Sequence, residues 1–406
     1  MSIIKAFRAL RPTKEKARQV SCVPYDVALE SEVRERIHLD PDSFLRVTRP
    51  EAEFSGENVS SEIVFERAKH HLGRMIESGT LVREPSPSLY VYRLAAGSHT
   101  QTGIVACCSI DEYESGLIKK HEKTQPDKVD DRTRHMLALR AQTGLIFLAF
   151  RDTNEVKKVL AAETDQTPIY DFDAAGGIRH TVWRVGGNER LIDIFARVPA
   201  LYVADGHHRL ESAARAREQL QKSNPNHTGG EDYNFVMAGI FPADELRILP
   251  YNRVVRDLNG TRETLLSRIS ENFDVEQSEK KVPEKHGEIC LYSGRNWYTL
   301  QFVDPQTREL DPIERLDVSI LQNFILKPIL GIDDPRIDDR IAFVGGARGT
   351  DELERLVNEG SAAVAFSMFH TTMDDLFAVS DTGEIMPPKS TWFEPKLKDG
   401  LYVHLI

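Results

Sequence analysis

The run Ala200-Leu201-Tyr202-Val203-Ala204, followed at once by Asp205-Gly206-His207-His208-Arg209, constrains this chain more than any other stretch. Its first five residues are apolar, branched or aromatic and predict a short buried strand. Beyond the turn, Leu210, Ala213, Ala214 and Leu220 recur among arginines and glutamates, which predicts an amphipathic helix. The Asp-Gly turn therefore joins a strand end to a helix start. The first N–H groups of a helix lack internal partners and lie at the positive end of its dipole, so they attract anions. Gly206 can take a positive φ and lets a ligand approach the backbone. Arg209 adds a fork of donors that matches phosphate oxygens. The plainer alternative makes Asp205 a helix cap and the histidines a solvated first turn. Two histidines and an arginine directly after the turn favour an anion site.

At 406 residues the chain exceeds what one core accommodates. Breaks in pattern divide it into an N-terminal α/β extension (1–88), a core (89–245) and a C-terminal α/β domain (246–406), an α+β or mixed α/β fold. The net charge of −11 disfavours general affinity for nucleic acid or anionic membranes. Of the four cysteines, Cys22 and Cys290 stand alone and Cys107-Cys108 lie in a predicted strand, so none has zinc-ligand or redox spacing. Neither a signal peptide nor a long apolar run is legible, and a cytoplasmic, non-membrane protein is expected. Oligomeric state is not set by the sequence, and a homo-oligomer is compatible with it.

Periodicity predicts helices over about 61–78, 129–142, 261–272, 317–330 and 351–359. Strands are expected at 89–93, 102–113, 145–150, 235–241, 288–292, 297–303, 341–344 and 362–369.

A second polar concentration runs from Lys119-Lys120-His121-Glu122-Lys123-Thr124 to Asp131, Arg132 and His135. Glu122 sits among lysines, which favour its charged form, and an ionised carboxylate can act as a general base toward a hydroxyl. On a helix starting near Val129, Asp131 and His135 share a face. The competing reading is a solvated charged loop. An anion cradle together with a carboxylate base is the minimum equipment for moving a phosphoryl group onto a hydroxyl. Neither a P-loop nor the kinase glycine loop with its partners is present, and Gly345-Gly346-Ala347-Arg348-Gly349 reads as a turn. Tyr25 and Asp26, at a proline-stiffened turn, are either substrate contacts or turn residues. Near the C-terminus, Lys389, Ser390, Thr391 and Lys396 flank Trp392 and Phe393, and a docked strand is preferred there to a nucleotide lid.

The segment Val203-Ala204-Asp205-Gly206-His207-His208-Arg209-Leu210-Glu211-Ser212-Ala213 resembles the hallmark of a bacterial and archaeal family known as domain of unknown function 1015. Val23 to Val27, Lys120 to Thr124 with Asp131 to His135, Ile248 to Arg253 and Pro387 to Lys396 resemble it as well. The pairing of a His-Glu segment with a later Asp-Gly-His-His-Arg turn is more distantly similar to the ParB and sulfiredoxin superfamily, which includes ParB-like free serine kinases. That resemblance implies a ParB/sulfiredoxin-like core, with Glu122 as base beside His121. It implies Asp205, Gly206, His207, His208 and Arg209 facing nucleotide phosphates. Sulfiredoxins carry cysteine where His207 stands, which argues against sulfinic-acid repair.

The expectation is a nucleotide-dependent phosphotransferase acting on a small hydroxylated metabolite, free L-serine or phosphoserine leading. ATP or ADP, with CTP as the alternative, would be the donor, together with Mg²⁺ held by Asp205. Arg132 and His135, with Tyr25 and Asp26, would bind the substrate. The alternatives are a nucleotide-gated regulator without turnover and a phosphoester hydrolase.

Overall fold

The computed structural model describes residues 2–54, 59–151, 154–303 and 311–406. Two compact units divide the chain: residues 1–246 together with 395–406, and residues 247–394. The second unit is thus inserted between Leu246 and Pro395 of the first. Residues 1–88 and 89–245 fall within a single unit, and the last twelve residues rejoin it.

The first unit is built on a nine-stranded mixed sheet. Its spine is His99–Ser109, whose continuous buried run reflects cover on both faces. Phe235–Pro242 pairs antiparallel with one edge of that spine, and Tyr90–Ala96 with the other. Ile146–Phe150 lies parallel to Phe235–Pro242, and Leu201–Asp205 runs antiparallel to Ile146–Phe150. The last neighbour is the two-residue strand Ile118–Lys119, parallel to Leu201–Tyr202. Leu201, Val203, Ile146, Leu148, Leu210 and Ala213 share one buried core cluster.

Three expected elements change shape. The strand predicted over 102–113 ends at Ser109, and Ile110–Glu114 is a helical turn that buries Ile110. The helix predicted from Val129 starts at Pro126, whose fixed φ suits a first helical position, and ends at Arg140 with φ 52°. In the second unit the helix expected over 261–272 covers only Leu265–Ile269, and the one expected over 317–330 is α-helical for Asp317–Leu321 and then widens to a π-turn.

The second unit carries a six-stranded, wholly antiparallel sheet with Val364–Met368 near its centre. Trp392–Phe393 pairs with Ile248–Leu249, which is the docked strand expected there. No helix among the described residues is long and apolar enough to cross a membrane.

Candidate functional site

Parallel pairing of Ile118–Lys119 with Leu201–Tyr202 sends both strands in one direction, so their carboxyl ends emerge side by side. Lys120-His121-Glu122 leaves one end and Asp205-Gly206-His207 the other. Just before the turn the register slips between Val203 and Asp205, a bulge of the kind that re-aims a side chain. Gly206 then takes φ 92° and caps the helix His207–Ser223. A β-carbon at Gly206 would lie 3.2 Å from the Ile146 Cα, so conformation and space both require glycine.

The two polar segments meet. His207 Nδ1 lies 3.6 Å from the Glu122 carboxylate. The imidazole is buried while the Glu122 side chain is 41% exposed, so the carboxylate opens to solvent with His207 behind it. The rings of His121 and His207 stand edge-to-face with centroids 4.6 Å apart. Burial lowers both pKa values, His121 to about 4 and His207 well below its ordinary value, with His121 itself adding to the effect on His207. Both imidazoles are therefore neutral at pH 7. The contact with Glu122 is between a charge and a dipole, and His207 does not supply the cation expected of it. Its Nε2 is buried without a hydrogen-bond partner among the described residues.

The other motif residues are turned toward protein groups. His208 Nε2 accepts from the Gln125 N–H at 3.1 Å, which pins the His-Glu loop to the helix. Asp205 accepts from Gly206 N at 2.8 Å and from Lys396 Nζ at 2.6 Å. Burial acts to raise the Asp205 pKa, but Lys396, Arg209 and the Gly206 N–H outweigh it and hold it near 2.

Arg209 grips the Asp399 carboxylate with both nitrogens, at 3.0 and 3.1 Å, and gives a further bond of 2.9 Å to the Leu145 carbonyl. Its fork is thus engaged inside the protein. The backbone must pass close by for this to happen: a β-carbon at Gly144 would come within 2.4 Å of Arg209 Nη1. Burial lifts Asp399 to about 6 against the pull of Arg209.

A narrow cleft opens beside this pair, lined by Tyr25, Arg132, His135, Gly144, Arg209 and Asp399 among others. Two guanidiniums lie over the Tyr25 ring, Arg132 4.7 Å and Arg209 5.2 Å from its centroid. Burial pushes the Tyr25 hydroxyl up to about 12. Arg132 Nη1 donates to the Thr48 carbonyl at 3.2 Å and Nε to Asp131 at 2.8 Å. His135 is held by the Val47 carbonyl at 2.8 Å, and burial lowers it to about 4, so it is a neutral wall of the cleft. Asp26 is exposed and does not line the cleft.

Asp399 and Gly144 escaped the sequence, as did the pairing of Lys396 with Asp205. Lys396 and Asp399 reach the turn from 191 and 190 positions away, and Gly144 admits the Arg209–Asp399 pair. Lys389 and Lys396, flanking Trp392 and Phe393, were the one available signal, and nothing in that stretch points to Asp205. Among the described residues no group of three or more His, Cys, Asp or Glu could hold a metal ion. All four cysteines are free and buried.

A family model described as "Protein of unknown function (DUF1015)" matches residues 4–319. No curated protein matches the sequence. Among solved structures, a mutant free serine kinase in complex with AMP is similar at 13% identity and TM-score 0.38, covering 73% of this chain and 92% of that one. A conserved hypothetical protein from Pyrococcus furiosus is similar at 14% identity and TM-score 0.36, covering 74% and 95%. SbnI with a C-terminal truncation, from Staphylococcus aureus, gives 13% and 0.39, covering 74% and 87%. Likenesses this weak carry no inference about activity, and the chemistry rests on the residues.

Proposed function

We propose that this chain, which belongs to the DUF1015 family, is a nucleotide-dependent phosphotransferase acting on a small hydroxylated metabolite, with free L-serine as the leading acceptor. The observation that carries the reading is the 3.6 Å approach of His207 to the Glu122 carboxylate at paired strand ends, where a glycine-capped helix begins.

The exposed Glu122 carboxylate takes the proton of the acceptor hydroxyl. The hydroxyl oxygen attacks the terminal phosphorus of ATP or ADP. A new P–O bond forms, the bond to the bridging oxygen breaks, and the shortened nucleotide leaves with that electron pair. Glu122 then returns its proton to water. The neutral imidazole of His207 lies beside the carboxylate without neutralising it. The N–H groups opening the His207–Ser223 helix suit the phosphates, as a helix of seventeen residues brings its dipole to that end.

Mg²⁺ fits Asp205, because the held-down carboxylate is ionised and partly open, and a magnesium ion takes its remaining oxygens from phosphates and water. Bound there it would offset the charge of the phosphate chain. Lys396, already on Asp205, is placed to do the same. Arg132 on the face of Tyr25 would meet the acceptor's carboxylate by exchanging it for Asp131, which its Nε and Nη2 now hold. Arg209 is a positioning residue: it ties the turn to Asp399 and forms part of the cleft wall.

Purified protein with ATP or ADP, Mg²⁺ and L-serine should form phosphoserine. Tight nucleotide binding without turnover on any hydroxylated amino acid would favour a regulator, and phosphate release from phosphoserine would favour a hydrolase.

A further inference from the structure

We propose that the second compact unit carries a separate binding site for a small phosphorylated anion, built by Arg256, Arg262 and Arg295. The three line one open depression, together with Gly294, Asn358, Gly360 and the apolar Val357, Ala362 and Ala363.

Three guanidiniums around one concavity run against a chain whose net charge is −11. Three other surface arginines of the unit carry carboxylate partners: Arg336 with Asp334, Arg340 with Asp338, Arg355 with Glu352. Among the described residues no carboxylate pairs with Arg256, Arg262 or Arg295, and no hydrogen bond holds the side chain of Arg262 or Arg295. Arg256 is aimed by a 2.6 Å bond from Nη1 to the Asp339 carbonyl.

The backbone at Arg295 supplies an independent observation. Gly294 and Arg295 form the two-residue turn between the Glu288–Ser293 and Asn296–Phe302 strands, with φ 56° and 66°. Such turns take glycine or asparagine, because a Cβ crowds the following carbonyl oxygen at positive φ. Arginine is held there against its conformational preference, and strain of this kind gathers at ligand sites.

A purely structural role would have the arginines cap the Gly349–Asn358 helix, whose last turn adjoins the depression. None of that helix's carbonyls accepts from any of the three. Planar forks match phosphoryl oxygens, and three of them suit a ligand with two or more negative charges. Val357, Ala362 and Ala363 give the depression an apolar side that takes a compact organic group.

The test is calorimetric titration of the full chain with pyrophosphate at low salt, comparing wild type with the Arg262→Gln/Arg295→Gly double variant. Loss of one pyrophosphate equivalent, or weakening of about tenfold or more, supports the site. Glycine adopts the left-handed conformation freely, so an undiminished melting temperature shows that the loss is not unfolding. Unchanged pyrophosphate binding in the double variant overturns the proposal. So does preference for a single-stranded oligonucleotide over pyrophosphate or ADP at this site.

Discussion

Arg209 and Arg295 are the same side chain under opposite constraints. Arg209 follows the most suggestive motif in the chain, yet its donors are engaged by Asp399 and the Leu145 carbonyl, and its face by Tyr25. Arg295 belongs to no motif, sits in a strained turn and has no partner among the described residues. A cation inside a functional motif can therefore serve as scaffold, while one outside any motif is free to meet a ligand. Burial separates them. A buried guanidinium must be compensated by protein groups, and an exposed one is compensated by water until a ligand replaces it.

The comparison can be broken at several points. If the turn near Arg209 is the reaction centre, Glu122→Gln should lower phosphoserine formation by about 10²–10⁴-fold, with nucleotide affinity by calorimetry unchanged. Full activity in that variant would remove the base. If Arg209 is scaffold, Asp399→Ala leaves a buried charge unpaired and should cost about 3–5 kcal/mol in denaturant unfolding. Arg262→Gln, at an open site, should cost less than about 0.5 kcal/mol. Equal losses would erase the distinction.

The first unit should also respond to acid. His121 and His135 are held near 4, below the ordinary value of 6.5, so between those limits the unfolded chain binds protons that the folded one refuses. Stability should rise with pH from about 4 to 6.5, by on the order of 3 kcal/mol per imidazole, and flatten above. His135→Gln should reduce that slope in pH-dependent urea melts. Gly206→Ala, strained by its positive φ, should cost about 1–3 kcal/mol in thermal unfolding. Arg295→Gly relieves similar strain and should be stabilising by less than about 1 kcal/mol, since glycine's own flexibility offsets part of the gain.

Much of the site's local form was legible. The Ala200–Ala204 pattern, the Asp-Gly turn and the apolar stripe through Leu210 and Ala213 announced strand, turn and helix, and the structure has Leu201–Asp205, Gly206 at positive φ and His207–Ser223 in that order. The anion-binding reading of His207 and Arg209 rested on their charge, and charge depends on surroundings. Burial removed it from His207, and Asp399 claimed it from Arg209. His135 shows the same limit: its spacing from Asp131 suggested a shared polar face, whereas its imidazole is bound inward to the Val47 carbonyl.

By itself the chain's sequence determined where it turns, which faces are apolar and that a glycine had to stand at 206, because backbone sterics and periodicity act over a few residues. Only the tertiary structure decided that Glu122 meets His207, that a one-residue bulge re-aims Asp205, and that Lys396 and Asp399 return to the turn from 191 and 190 positions away. Periodicity reports that a side chain is buried, but its partner is chosen by strand pairing and register across the whole fold, which no local pattern encodes.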